Sequence, residues 1–297
     1  MMGSNAVVVR ALIAAAACAA WPAAAQTPVG VTVIEDIRFA SVNGHDLLLD
    51  LYLPADAAGA PLLVWVHGGG WSRGERKPVS TLAFVEAGYA MASVDYRLSG
   101  VAPFPAQIHD LKSAIRFLRA QASAYGYDAR RIGILGVSAG AHLAALVATT
   151  NGDTRLEGDV GGHLDQSSDV AAAVSYFGAS NLTTILDQST PFGLNIRVPG
   201  LEALFGGPPD EKTDLAELAS PVFQVDRGDP PLLLLHGDQD PQMPINQSHE
   251  LHGAYKALGL NVHFEVVHGA RHGGEAFFDR ARTELVMSFL DSHLRGG

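Results

Sequence analysis

Short, wholly apolar segments recur along the chain and constrain its fold more than any other feature. Residues 62–66, "LLVWV", form one of them and include no polar side chain. Strands covered on both faces of a sheet have this pattern, whereas strands with one wet face alternate apolar and polar residues. The segments therefore predict a mostly parallel sheet buried between layers of helices.

Eight strands are predicted. They are residues 31–40, 46–53, 62–66, 89–94, 131–135, 171–177, 232–235 and 262–267. Asn43 and Gly44 separate the first two strands, and Asn-Gly is a strong signal for a two-residue hairpin. The first two strands are therefore expected to be antiparallel, and the later ones parallel.

Segments with helical periodicity lie between or after these strands. Residues 107–125 place Ile108, Leu111, Ile115, Leu118 and Ala122 on one stripe, and residues 275–294 do the same with Phe278, Leu285 and Phe289. Such stripes are expected to face the sheet. Strands that alternate with helices predict an α/β fold with right-handed crossover connections.

The composition is typical of one large folded domain, and the net charge is negative. Hydrophobic residues make up 47% of the 297 residues and charged residues 17%, which excludes general disorder. We expect residues 26–297 to form a single α/β domain. The formal net charge of −11 argues against nucleic acid and anionic membrane surfaces as partners.

The N-terminal residues have the pattern of a secretory signal peptide. Arg10 precedes a short apolar run, and Ala23 and Ala25 give an A-x-A cleavage pattern before Gln26. Residues 1–25 are therefore predicted to be removed, which indicates a secreted or periplasmic protein with no stable membrane insertion. The alternatives are an uncleaved anchor helix and a lipoprotein modified at Cys18. Cleavage would also remove Cys18, the only cysteine.

Residues 182–229 break the regular alternation of strands and helices. They are rich in glycine and proline and only weakly periodic. One interpretation is an insertion over the sheet edge that acts as a small lid. The other is an ordinary set of surface helices, and the sequence does not separate the two.

The sharpest motif is "GVSAG", residues 136–140, which follows a predicted strand and opens a predicted helix. This G-x-S-x-G pattern in this context is typical of a nucleophile elbow with Ser138 as the nucleophile. Glycines are expected at both ends because larger side chains there would collide with the flanking strand and helix. The N–H groups at the start of the helix would stabilise negative charge near Ser138.

A serine nucleophile needs a base and an acid that orients the base. His268 and His272 both follow the last predicted strand, and the position of His272 in a glycine-rich loop favours it as the base. Asp238 and Asp240 both follow the preceding strand, and spacing alone does not choose between them. The order serine, aspartate, histidine is the one found on α/β-hydrolase sheets.

Six motifs together resemble one group of enzymes. They are "HGGGW" (67–71), "DYRL" (95–98), "FPAQIHD" (104–110), "GVSAGAHLA" (136–144), "HGDQDPQMP" (236–244) and "GARHG" (269–273). In this order they resemble the α/β-hydrolase esterases of the hormone-sensitive-lipase and bacterial feruloyl-esterase-like (BD-FAE) group. One departure is Ala141, where the more typical sequence has a second glycine.

The resemblance implies a complete site. It implies Asp240 as the acid and His272 as the base, and it implies an oxyanion hole made by the backbone N–H groups of Gly69, Gly70 and Ala139. Trp71 and Met243 lie beside motif residues, which makes them candidates for the substrate pocket. We expect no cofactor, and the histidine spacing predicts no metal site.

The implied activity is serine-dependent hydrolysis of short-chain acyl or aryl esters. Small molecules or polysaccharide-linked esters would be the substrates, with acetyl or feruloyl groups of plant polysaccharide as examples. The alternatives are an exopeptidase or amidase on the same fold and a binding protein that retained the fold without catalysis.

The stretch "HGGGWSRGERKP" also lacks the G-x-x-x-x-G-K-[ST] pattern of a phosphate-binding loop. Arg73, Arg76 and Lys77 are therefore expected to be solvated. His67 is expected to fix the glycines through hydrogen bonds, and Asp95 and Arg97 to form an ion pair.

Overall fold

The computed structural model describes residues 30–77, 79 and 82–296. The predicted signal peptide and Cys18 lie outside the described residues. Within them, eight strands form one sheet in the order β1-β2-β4-β3-β5-β6-β7-β8. The strands are β1 Thr32–Val42, β2 His45–Leu53, β3 Pro61–Val66, β4 Ala90–Val94, β5 Asp128–Val137, β6 Ala172–Tyr176, β7 Leu232–Gly237 and β8 Val262–Val267.

The first two strands form the predicted hairpin. Val42 pairs with His45, and the two turn residues Asn43 and Gly44 have φ angles of 51° and 81°. Both positive angles match the turn type that suits a two-residue hairpin. β2 also pairs antiparallel with β4, whereas the other neighbouring pairs are parallel. The α/β fold and the mostly parallel sheet are thus confirmed.

The helices cover both faces of the sheet. They are α1 Ala83–Glu86, α2 Ala106–Tyr125, α3 Ala139–Ala148, α4 Ile185–Gln188, α5 Pro191–Phe205, α6 Thr213–Leu218, α7 Pro221–Gln224, α8 Asn246–Ala257 and α9 Arg280–Leu294. Buried side chains form two clusters, one containing α2 and α3 and the other containing α1 and α9. Successive residues of β3 alternate between the clusters, so the sheet is buried on both faces. Among the described residues, no helix combines the length and apolarity needed to cross a bilayer.

The two long predicted helices differ in how well the sequence located them. α2 has the predicted end, and all five residues of its predicted stripe are buried. α9 begins only at Arg280, where the side chain of Asp279 caps it by accepting the N–H of Arg282 at 2.9 Å. Its fully buried stripe is Val286, Leu290 and Leu294. The predicted Leu285 and Phe289 are partly buried and pack against the same cluster, so the apolar face of α9 is wider than the predicted stripe.

Residues 182–229 contain the four helices α4 to α7. Buried apolar side chains in this segment, including Leu201, Leu204 and Phe205, belong to the main core. The carbonyl of Leu204 also accepts the N–H of Phe104 at 2.7 Å, which ties α5 to the loop before α2. Whether the segment moves as a lid stays a prediction.

Candidate active site

The candidate nucleophile Ser138 lies on a sharp turn at the end of β5. It is the single residue between β5 and α3, with φ 52° and ψ −118°. Such a backbone conformation costs a non-glycine residue on the order of 1–3 kcal/mol and persists only where its surroundings enforce it. Here the Ser138 N–H donates to the carbonyl of Tyr176 at 2.9 Å, and its carbonyl accepts the N–H of His142 at 3.0 Å.

Close packing leaves no room for a side chain at either of the glycines that flank this turn. A Cβ on Gly136 would collide with the backbone of Gly140, and a Cβ on Gly140 would collide with the carbonyl of Val66 at the end of β3. The expected collisions of larger side chains with helix and strand are therefore confirmed. This close packing holds Ser138 at the carboxyl edge of the sheet, where loops after parallel strands converge.

Ser138, His272 and Asp240 form a continuous chain of hydrogen bonds. His272 Nε2 lies 2.9 Å from Ser138 Oγ, and His272 Nδ1 lies 2.6 Å from Asp240 Oδ2. An ionised carboxylate only accepts hydrogen bonds, so Nδ1 carries the hydrogen and Nε2 accepts from the hydroxyl. The Asp240 side chain is fully buried, and that of His272 is 12% exposed. The ring of Phe177 packs edge-on against His272 with centroids 4.9 Å apart.

Asp240 is held in its charged form by several donors. Its Oδ1 accepts the backbone N–H groups of Gln242 and Met243 at 2.8 and 2.9 Å. His236 Nε2 lies 3.4 Å from Oδ2. Burial alone would raise the pKa of Asp240, but the interactions with His236 and His272 outweigh burial and hold that pKa well below its usual range. Asp240 is therefore a carboxylate at neutral pH, as an acid that orients an imidazole must be.

His236 was not singled out as a site residue by the sequence reasoning. It is buried, and its Nε2 lies 3.0 Å from the carbonyl oxygen of Met243 as well as near Asp240. Its other ring nitrogen, Nδ1, lies 2.7 Å from Ser248 Oγ. The signal that could have found it is its position four residues before Asp240.

The other candidates for acid and base, Asp238 and His268, form a second aspartate–histidine pair. His268 Nδ1 lies 2.9 Å from Asp238 Oδ2, and the Asp238 carboxylate also accepts the N–H of Gly269 at 2.7 Å. The His268 side chain is 83% exposed. In the described residues, neither member of this pair has a hydrogen bond to Ser138. The structure therefore brings Asp240 and His272 together with the serine and leaves Asp238 and His268 outside.

The glycine loop, residues 67–71, follows β3 and lies against the Ser138 turn. A Cβ on Gly68 would lie 2.9 Å from the carbonyl of Val137. Gly69 and Gly70 have φ angles of 117° and 61°, so both favour glycine. Among the described residues, neither of their N–H groups donates to a protein acceptor.

The imidazole of His67, the first residue of this loop, has a hydrogen-bond partner. His67 is buried, and its Nδ1 lies 2.8 Å from the carbonyl of Gly68, which agrees with the expected fixing role. Ala139 is the first residue of α3, where a helix leaves N–H groups without internal partners. The N–H groups of Gly69, Gly70 and Ala139 are thus available near the serine, and their role as an oxyanion hole stays a prediction.

The two pocket candidates are more enclosed than a pocket lining usually is. Trp71 and Met243 are both 0% exposed. Trp71 also has a positive φ of 60°. Contact of either side chain with a substrate stays a prediction.

Two expectations about surface charges were wrong. Arg76 is not solvated, because its side chain is 12% exposed and forms ion pairs with Asp50 at 3.0 Å and Asp95 at 2.6 Å. Arg97 does not pair with Asp95 but with Asp110 on α2, at 2.7 Å. Sequence proximity misled here because the carboxylate of Asp95 faces Arg76 while the side chain of Arg97 faces α2.

A known protein family matches more than half of the chain. The BD-FAE family model matches residues 49–255, a span that includes Ser138 and Asp240 and ends before His272. The chain belongs to the BD-FAE family. Its fold is the α/β-hydrolase fold, and the resemblance stated from the motifs is confirmed.

Relatives and solved structures extend the comparison. Esterase LipQ of Mycobacterium tuberculosis (strain ATCC 25618 / H37Rv) is 33% identical over 263 residues, which are 84% of this chain and 60% of LipQ. A structure titled as a truncated form of carbohydrate esterase from gut microbiota is 31% identical with a TM-score of 0.78, over 89% of this chain and 96% of that one. A bifunctional GH43-CE protein of Bacteroides eggerthii is 34% identical with a TM-score of 0.80, over 88% of this chain and 35% of that one.

Proposed function

We propose that the chain is a serine carboxylesterase that cleaves short-chain acyl or aryl esters through an acyl-enzyme intermediate. The observation that carries the proposal is the hydrogen-bonded chain from Ser138 through His272 to the buried, ionised Asp240. The naming of LipQ as an esterase and of a close structural neighbour as a carbohydrate esterase supports it.

The first half of the reaction acylates the serine. His272 Nε2 takes the hydroxyl proton as Ser138 Oγ attacks the ester carbonyl, and Asp240 stabilises the imidazolium that forms. The N–H groups of Gly69, Gly70 and Ala139 donate to the developing oxyanion. One such donor is typically worth about 3–4 kcal/mol of the activation barrier. His272 then passes its proton to the leaving alkoxide, and the alcohol departs.

The second half releases the acid. A water molecule gives its proton to His272 Nε2 and attacks the acyl carbonyl, and the returning proton restores the Ser138 hydroxyl. The same three backbone donors would stabilise the second oxyanion. No step requires a cofactor or a metal ion.

We also propose a class of natural substrates for this reaction. Acetyl or feruloyl groups on plant polysaccharide are the proposed natural esters, supported by the carbohydrate-esterase neighbour and by the predicted export signal. Export would place the enzyme in the periplasm or outside the cell, where polymers are accessible.

The test compares purified wild-type protein with Ser138→Ala on 4-nitrophenyl acetate and on the matching 4-nitroanilide. We expect ester turnover by the wild type, loss of it in the variant, and little cleavage of the anilide. Labelling by a fluorophosphonate should require Ser138. Retention of ester turnover in Ser138→Ala would overturn the proposal, and preference for the anilide would favour an amidase. A panel of acetylated and feruloylated oligosaccharides then tests the substrate class.

A further inference from the structure

His142 lies one turn after Ser138 on α3 and joins two other parts of the molecule. Its side chain is fully buried. The indole Nε1–H of Trp71 donates to His142 Nδ1 at 3.1 Å, and His142 Nε2 lies 2.7 Å from the carbonyl oxygen of Ala219. A carbonyl oxygen can only accept, so Nε2 carries the hydrogen and Nδ1 is the bare acceptor. Both ring nitrogens are thus committed in one neutral tautomer.

The first of these bonds reaches the glycine loop. Trp71 ends that loop in a left-handed conformation, with φ 60°, which a tryptophan adopts only when its surroundings hold it there. The carbonyl of Trp71 accepts the N–H of Ser99 at 2.8 Å. The rings of Trp71 and His142 pack edge-on with centroids 5.4 Å apart. His142 therefore fixes the side chain of Trp71. His142 belongs to α3, the helix that begins directly after Ser138.

The second bond reaches the segment of residues 182–229. Ala219 lies between α6 and α7 and is fully buried. The same segment approaches Trp71 a second time, because a Cβ on Gly200 of α5 would lie 3.9 Å from the indole ring. One imidazole thus connects the glycine loop, the nucleophile-bearing turn and the segment above them.

We propose that His142 is a positioning residue that sets the glycine loop through Trp71 and anchors that loop to the segment 182–229 through Ala219. This inference rests on the proposed function, in which Gly69 and Gly70 donate to the oxyanion. Because Trp71 directly follows Gly70, a shift of the indole would shift the two donors with it. Donors of this kind act only when they point at the place where charge develops.

The charge state of His142 agrees with this role. Burial lowers the pKa of His142 to about 4, so the ring stays neutral throughout the range in which an esterase is assayed. A second proton on Nδ1 would oppose the indole N–H and break the bond to Trp71.

The deciding experiment compares His142→Leu with His142→Gln. Leucine fills much of the space but makes neither bond, whereas a glutamine amide offers an oxygen to Trp71 and an N–H to Ala219. We expect kcat on 4-nitrophenyl acetate to fall about tenfold to hundredfold in His142→Leu with KM changed less than about threefold, since oxyanion donors act mainly in the transition state. His142→Gln should restore most of the loss.

Trp71→Phe breaks the same hydrogen bond from the side of its donor. It removes the indole N–H and keeps an aromatic ring, so kcat should fall in the same direction. In the double variant with His142→Leu, the loss should be clearly smaller than the product of the two single losses, because both substitutions break one link. His45→Leu, in the exposed β1–β2 hairpin, serves as the control for a histidine-to-leucine change.

Three results would overturn the inference: unchanged kcat in His142→Leu, no recovery in His142→Gln, or independent losses in the double variant. Thermal unfolding of each variant separates a loss of kcat from a loss of folded protein. A readout that needs no activity is the nitrogen NMR spectrum of the histidines, in which His142 should show the Nε2–H tautomer without titrating between pH 5.5 and 8. If the wild type lacks esterase activity, the proposed function fails while this tautomer can still be tested.

Discussion

The pairs Asp238–His268 and Asp240–His272 come from the same two loops, with carboxylate-to-imidazole distances of 2.9 and 2.6 Å. Their surroundings differ. The histidine of the first pair is 83% exposed and has no described partner beyond its aspartate, whereas the second pair is enclosed and continues to Ser138. The comparison teaches that the chemistry of such a pair is set by burial and by a third hydrogen-bonded group, and that the two residue types alone do not decide it.

The largest expected contrast is between the two histidines. In His272→Gln, kcat for 4-nitrophenyl acetate should fall on the order of 10⁴-fold or more, because the serine loses its base. In His268→Gln, kcat should stay within about twofold of wild type, since that ring does not touch the serine. Steady-state kinetics on both variants at pH 7.5 measure this. Equal losses would mean that the pairing seen here does not describe the working enzyme.

The next contrast is between the two carboxylates. Asp240→Asn should lower kcat by about 10³- to 10⁴-fold, because an amide can hold His272 in the wrong tautomer and cannot stabilise the imidazolium. Asp238→Asn is the matched control and should remain near wild type. A larger loss in Asp238→Asn than in Asp240→Asn would reverse the assignment of the acid.

Low pH should reduce the stability that Asp240 contributes to the folded protein. The pKa of Asp240 is lowered in the folded protein, so its contribution to stability is present above the unfolded-state pKa of about 4 and is lost as the pH falls further. The free energy of unfolding of wild type relative to Asp240→Asn should therefore drop by about 1 kcal/mol between pH 5 and pH 3. Urea titrations at both pH values check this, and a difference that does not change with pH would contradict it.

The two pairs should also differ, more weakly, in their response to salt. His268 is 83% and Asp238 31% exposed, so mobile ions should screen the attraction that exists when His268 is protonated, whereas the enclosed Asp240 and His272 are shielded from them. The difference in melting temperature between wild type and Asp238→Asn should become smaller from low salt to 1 M NaCl, and the part due to the N–H of Gly269 should remain. The corresponding difference for Asp240→Asn should persist. Similar salt dependence in both variants would remove the distinction drawn between the pairs.

Local patterns predicted much of the fold because their causes are local. The hairpin at Asn43 and Gly44 follows from turn chemistry, and the apolar strands follow from burial on both faces. The stripe of α2 follows from helical periodicity. The start of α9 was missed because the cap at Asp279, rather than apolar spacing, fixes its first turn.

Charge partners were the least predictable part of the molecule. Arg76 was expected in solvent and is enclosed by carboxylates, while Arg97 binds Asp110 on a helix instead of its neighbour Asp95. Ion pairs depend on which loops meet after folding, and neither spacing nor residue type reveals that. The contacts of His142 with Trp71 and Ala219 were invisible for the same reason, since they span 71 and 77 residues of chain.

A few neighbouring residues were enough to predict each strand, the elbow at Ser138 and a short set of candidates for base and acid, because all of these are local features. The family resemblance selected Asp240 from that set and supported His272, which its glycine-rich loop had already favoured. Only the tertiary structure placed His272 between Ser138 and the buried Asp240 and left Asp238 and His268 facing water. That outcome depends on how the loops after β5, β7 and β8 converge at one edge of the sheet, which is a property of the folded chain and of no single segment.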